Sequence, residues 1–227
     1  MITADLLEVP INERHLLRVR LLRRDANRPA GWSPSWVSNR QSGVSGWQAV
    51  WVDEVSFVRD YAMMAAIFGF AGFIWFGWAQ EDPPERWRRR LGVGAVIGGL
   101  VAIAGGLLAW QNWGPESALA APGAQRTFGI ICGIEFGLAG IGAAVFALTK
   151  RSKWTAPWVA LVVGVHFVPL AFLFGDAGLF VLADLIVVAV GISIVVYRRT
   201  RIAISATTGL GTGGILVVFG IRAAVLA

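Results

Sequence analysis

Two carboxyl side chains and one imidazole interrupt otherwise apolar stretches of this 227-residue sequence: Glu135, His166 and Asp184. A carboxylate deep in a bilayer is costly unless it is neutral, paired or hydrated, and intramembrane carboxyl and imidazole groups are the usual parts of a proton or cation relay. In its protonated form Glu135 could also act as a general acid, with Asp184 or His166 as partner. His166 stands three residues before Pro169. That proline removes a backbone donor and leaves the carbonyl of Val165 partly free, so extra space beside the imidazole is expected. All three groups are expected to face one cavity. Each also has a plainer reading: a neutral carboxyl bonding a neighbouring helix, a core histidine bonding a carbonyl, and a structural ion pair.

A second set of charges falls near one end of the apolar stretches: Arg59, Asp60, Arg126, Asp176 and Arg222. Opposite charges at one membrane depth invite pairing. Arg222 with Asp184, and Arg126 with Asp60, are the pairs this reading expects. Gly129, Gly133 and Gly137, spaced by four, form a smooth stripe for helix packing. Glu135 lies roughly 200° around the helix from its neighbouring glycines, so both faces of its helix are expected to be buried in protein. Thr207, Thr208, Gly209, Gly211, Gly213 and Gly214 lack the lysine of a phosphate loop and read as a thinned or unwound helix.

The elements that must hold these groups are six apolar runs at 61–79, 91–110, 127–149, 154–175, 177–197 and 202–227. The first two carry no charge, and the others carry only Glu135, His166, Asp184 and Arg222 in turn. About 20 apolar residues cross the hydrocarbon core as a helix. The expected fold is therefore all-α: a polytopic membrane protein with six transmembrane helices in one bundle, occupying residues 57–227. Two halves of three spans each admit an inverted repeat. Residues 1–56 form a basic, tryptophan-containing amino-terminal tail, interfacial or disordered, with a short amphipathic helix expected at 16–22. It has no continuous apolar region of the kind a cleaved signal peptide needs.

The loops at 80–90, 150–153 and 198–201 are basic, and the other two are not. The positive-inside rule makes the three basic loops cytoplasmic, in the plasma (inner) membrane, with both termini outside. The basic tail would favour the opposite side, and the three concordant loops outweigh it.

Composition removes several function classes. Only 15% of residues are charged, where a soluble domain has about 25%. The net charge of +6 comes from residues flanking the spans, so lipid headgroups rather than nucleic acid are its partner. Cys132 is the only cysteine, and His15 and His166 are the only histidines. No metal site, haem or cysteine pair is expected, and no cofactor. Lys150 and Lys153 lie in a loop, which excludes an intramembrane Schiff base.

Residues 76–84 (FGWAQEDPP), 128–137 (FGIICGIEFG) and 159–171 (VALVVGVHFVPLA) resemble a group of six-helix membrane proteins from high-GC, actinobacterial-type bacteria. The resemblance covers the six spans and not the first 55 residues; it implies the six-span fold and carries over no activity.

Three functions fit these residues. The first is a small transporter or channel for a small molecule or cation, using Glu135, His166 and Asp184. The second is a structural or accessory membrane subunit, with homo-oligomerisation allowed. The third is an intramembrane enzyme on a lipid or isoprenoid, with Phe136, Phe167 and Phe172 lining an apolar pocket. The balance leans away from an enzyme.

Overall fold

The computed structural model describes residues 57–114 and 116–227. The expectations for the amino-terminal tail, including the helix at 16–22, lie outside the described residues. Among the described residues six helices follow one another: α1 Val58–Trp78, α2 Glu85–Gln111, α3 Ala124–Leu148, α4 Thr155–Phe174, α5 Gly178–Thr200 and α6 Ile204–Leu226. Each is long and apolar enough to cross a membrane. Two short 3-10 turns, Ala118–Ala120 and Ser152–Trp154, occupy the α2–α3 and α3–α4 connections. The architecture is the expected all-α six-helix bundle, and no strand occurs among the described residues.

The helix ends follow local chemistry. The run expected to start at 91 begins instead at Glu85, directly after Pro84. Proline and an acidic residue favour a helix N-terminus, so Arg86, Arg88, Arg89 and Arg90 are helical rather than looped. Their long stems let them reach headgroups from a helix. α4 ends at Gly175 in the left-handed conformation (φ 66°), which a glycine adopts without strain. Pro169 lies inside α4.

α6 is the hub, packing against α1, α2, α4 and α5. α1 and α2 form the closest pair, because their glycines let the backbones meet. A Cβ on Gly98 would stand 2.8 Å from Phe73 N, and one on Gly105 would stand 2.9 Å from Ala65 Cβ. The main core joins Phe68 and Trp75 of α1, Leu170 of α4, Leu182 and Ile186 of α5, and Leu216 of α6. α3 packs along α4 and not along α1. The hub position of α6 and the peripheral position of α3 break the correspondence that an inverted repeat would require.

Two ends of the bundle are defined by cross-links. At the basic end, Lys153 Nζ donates to Tyr197 Oη at 3.0 Å. At the opposite end, called here the Asp60 end, Arg222 grips Asp176 through two bonds of 2.9 and 3.0 Å. Asp176 is 2% exposed, and its Oδ1 also accepts from Gly178 N at 2.7 Å. Asp176, not the expected Asp184, is therefore the partner of Arg222. The turn places its carboxylate at the right depth, whereas Asp184 is two helical turns further in.

Candidate functional site

Because α1 and α3 do not pack along each other, a cavity of about 790 Å³ lies between them, with α4 as its back wall. It runs from the Asp60 end toward mid-membrane. Glu135 lies 11 residues into α3, about 16 Å at 1.5 Å per residue. His166 lies eight residues before the end of α4, about 12 Å from that end. These depths put both near the middle of a hydrocarbon core about 30 Å thick.

The mouth is built from the α2–α3 connection folded over the start of α1. Asp60 Oδ2 accepts from Ser117 Oγ at 3.1 Å and from Ala118 N at 2.7 Å. Arg59 donates to the carbonyl of Gly114 and lies 3.8 Å from Asp60 Oδ1. Its guanidinium also covers the Trp113 ring at 5.4 Å, a cation–π contact. The mouth thus carries one positive and one negative group, each engaged. Below it the walls are apolar: Met63, Ile67 and Phe68 from α1, Phe128 from α3, Leu170 and Phe174 from α4.

Glu135 and His166 meet inside this cavity. His166 Nε2 is 3.5 Å from Glu135 Oε2, with the two side chains 13% and 12% exposed. His166 Nδ1 lies 2.6 Å from the carbonyl of Val163. A carbonyl can only accept, so Nδ1 carries a hydrogen, and in the neutral ring Nε2 presents its lone pair to Glu135. One proton then serves the pair: as Glu135 O–H toward Nε2, or as imidazolium facing carboxylate. Either arrangement has zero net charge, the least costly state away from water. Phe167 lies against the imidazole with ring centroids 4.2 Å apart, and Phe68 meets Phe167 edge-on at 5.5 Å.

Toward the basic end the α3–α4 seam is shut. Trp158 Nε1 donates to the carbonyl of Leu138 at 3.0 Å, and the indole lies over Gly142, where a Cβ would collide with it.

Several expectations are corrected. Asp184 is exposed on α5, does not line the cavity and makes no ion pair among the described residues. Its helix is rotated so that Leu182, Ala183 and Ile186 fill the core instead. Arg126 is exposed and does not pair with Asp60, whose carboxylate is taken by Ser117, Ala118 and Arg59. Gly129, Gly133 and Gly137 face no helix among the described residues, with nothing there within 4 Å of a Cβ at any of them. α3 is therefore not buried on both faces; it lies at the periphery. Phe136 and Phe167 line the cavity, whereas Phe172 is 75% exposed and does not.

Sequence reasoning missed Ser117, Gln125 and Met63 in the cavity and the Trp158–Gly142 closure. Cys132, read only as an isolated thiol, lines the same wall one turn from Glu135. No three His, Cys, Asp or Glu residues converge as metal ligands among the described residues.

The fold and this site define a multi-pass integral membrane protein with a carboxyl–imidazole pair in a half-membrane cavity. Compared with protein-family models, curated proteins and solved structures, the chain matches none.

Proposed function

We propose that this protein is a small proton-coupled carrier that receives a small molecule in the α1–α3–α4 cavity and uses Glu135 and His166 to exchange a proton with it. The observation that carries this reading is the 3.5 Å approach of Glu135 to His166 within a cavity of about 790 Å³. That volume falls within the range of small-molecule sites. Carriers commonly hold substrate and coupling ion near the bilayer midplane, and intramembrane carboxyl and imidazole groups serve as proton relays. The described lining is confined to the Asp60 half of the bundle, and beyond it Trp158 joins α4 to α3, an arrangement that suits a carrier better than a continuous channel. The positive-inside rule places the mouth outside the plasma membrane and the basic end in the cytoplasm. A purely structural subunit would have no need of such a cavity around an ionisable pair.

The test is proton movement in proteoliposomes holding a trapped pH dye, with amphipathic solutes added outside. A solute that enters should move protons through the wild-type protein, and Glu135→Gln should abolish that movement while the solute-free leak stays unchanged. Solute-driven proton movement of equal size in Glu135→Gln would remove the pair from the mechanism.

The apolar walls, and the absence of packing between α1 and α3, favour a second reading: an intramembrane enzyme on a lipid or isoprenoid, with Glu135 as general acid. Chemical change of an isoprenoid lipid incubated with the purified protein, lost in Glu135→Gln, would select it over transport.

A further inference from the structure

We infer that the molecule exchanged at this cavity is a monovalent lipophilic cation, taken in against the one proton held between Glu135 and His166. The inference rests on the carrier reading above and names the substrate class of the same site.

Charge conservation carries the argument. The Glu135–His166 pair with one proton is neutral. Releasing that proton breaks one O–H or N–H bond and leaves a carboxylate beside a neutral imidazole, a net charge of −1 in an apolar cavity. Such a charge is tolerated there only with a counter-charge beside it. A monovalent cation restores neutrality, and the released proton leaves through the mouth. An anion would add a second negative charge and favour protonation instead.

The other charged and titratable groups do not alter this balance. On α1, Arg59 and Asp60 offset each other at the mouth. On α3, Cys132 is a thiol one turn away. On the far side of α4, Asp176 and Arg222 are bound to each other outside the cavity. Arg59, the sole lysine or arginine among the cavity's described lining residues, already holds Asp60, the Gly114 carbonyl and the Trp113 ring. Among the described lining residues an anionic headgroup therefore finds no uncommitted cation; Arg126, beside Gln125, is exposed outside the lining.

The lining selects an organic cation over an inorganic one. Small inorganic cations need several oxygen ligands. Between the mouth and Glu135 the cavity lining is rich instead in aromatic and thioether groups, including Phe68, Phe128, Phe167 and Met63. Aromatic faces attract organic cations and sulfur adapts to their shape.

The probes are tetraphenylphosphonium and tetraphenylborate, which share size and shape and differ in charge. Full-length protein in nanodiscs is titrated calorimetrically in two buffers of different protonation enthalpy, with empty nanodiscs subtracted. The expected result is saturable binding of tetraphenylphosphonium with one proton released per cation. Affinity should strengthen with rising pH, by about tenfold per unit while the pair still holds its proton. Glu135→Gln, nearly isosteric, should weaken binding at least about tenfold, the scale of one lost charge partner, and abolish proton release. His166→Gln leaves Glu135 to titrate alone and should shift the pH range over which the proton is released. Asp184→Asn, outside the cavity, should change neither. Preference for tetraphenylborate, or cation binding without proton release, overturns the substrate class and leaves the carrier reading standing. Absence of binding by either probe also overturns the substrate class. If proteoliposome proton movement is in addition unaffected by Glu135→Gln, the carrier reading falls too.

Discussion

In α6 a Cβ added at Gly209 would stand 2.6 Å from the carbonyl of Trp75 and 2.8 Å from Ala79 Cβ, whereas in α3 one added at Gly129, Gly133 or Gly137 would meet nothing within 4 Å. Both helices carry closely spaced glycines, and only α6 uses most of its own to bring backbones together. Twelve residues of α6 are buried, and of α3 only Ala124 and Gly142. A glycine stripe in a sequence therefore says that a helix can be approached closely, not that anything approaches it. The difference also places the cavity. α6 anchors α1, α2, α4 and α5 into a dense core, and α3, which among the described helices packs along α4, stands away from α1 and leaves the space that Glu135 and His166 share.

Substitutions along these two helices can break or sharpen that comparison. The largest effect is expected from Gly209→Leu, which forces a side chain against the backbone of α1. Overpacking against backbone should exceed about 3 kcal/mol and prevent recovery of monodisperse protein in mild detergent. Arg222→Ala, at the far end of α6, comes next. It strands the buried carboxylate of Asp176 and should cost about 2 kcal/mol, below the usual range for a broken buried pair because Arg222 is partly exposed. Thermal unfolding followed by tryptophan fluorescence would read this loss. Gly142→Leu, at the one glycine of α3 that is buried, should displace the Trp158 indole and cost about 1–2 kcal/mol. It should also loosen the closure toward the basic end, detectable as a higher solute-free proton leak. Gly133→Ala should have the smallest effect and the opposite sign: a gain of up to about 1 kcal/mol from helix propensity. A marked loss of stability there would mean that the α3 face is covered in the working protein, most simply by a second copy.

Much of the fold was legible from hydropathy alone, because runs such as 61–79 and 91–110 are uncharged and long enough to cross a membrane. The start of α2 was not, since Arg86 to Arg90 hide a helix that Pro84 and Glu85 nonetheless announce. The Glu135–His166 meeting was partly legible. Both residues lie at similar distances from the 150–153 loop, so an antiparallel hairpin sets them at one depth. Helix rotation was the part that hydropathy could not supply. α5 is apolar all round, so nothing in its pattern tells which face meets the core, and Asp184 was wrongly given to the cavity. Arg222 found Asp176 for a related reason: a turn residue's reach depends on backbone geometry that spacing does not encode. The Trp158–Gly142 contact depends on the shape of two side-chain positions and left no trace in composition.

Proton exchange at this cavity requires that Glu135 and His166 hold one proton between them. Infrared spectra of the full-length protein, recorded through a pH titration with Glu135→Gln and His166→Gln alongside, test this most directly. The carboxyl and imidazole bands of the wild type should change together, in steps that belong to the pair, and each variant should convert the remaining partner to a simple independent titration. Carboxyl and imidazole bands that titrate independently in the wild type, with the same midpoints as in the single variants, would contradict the shared proton and the carrier mechanism built on it.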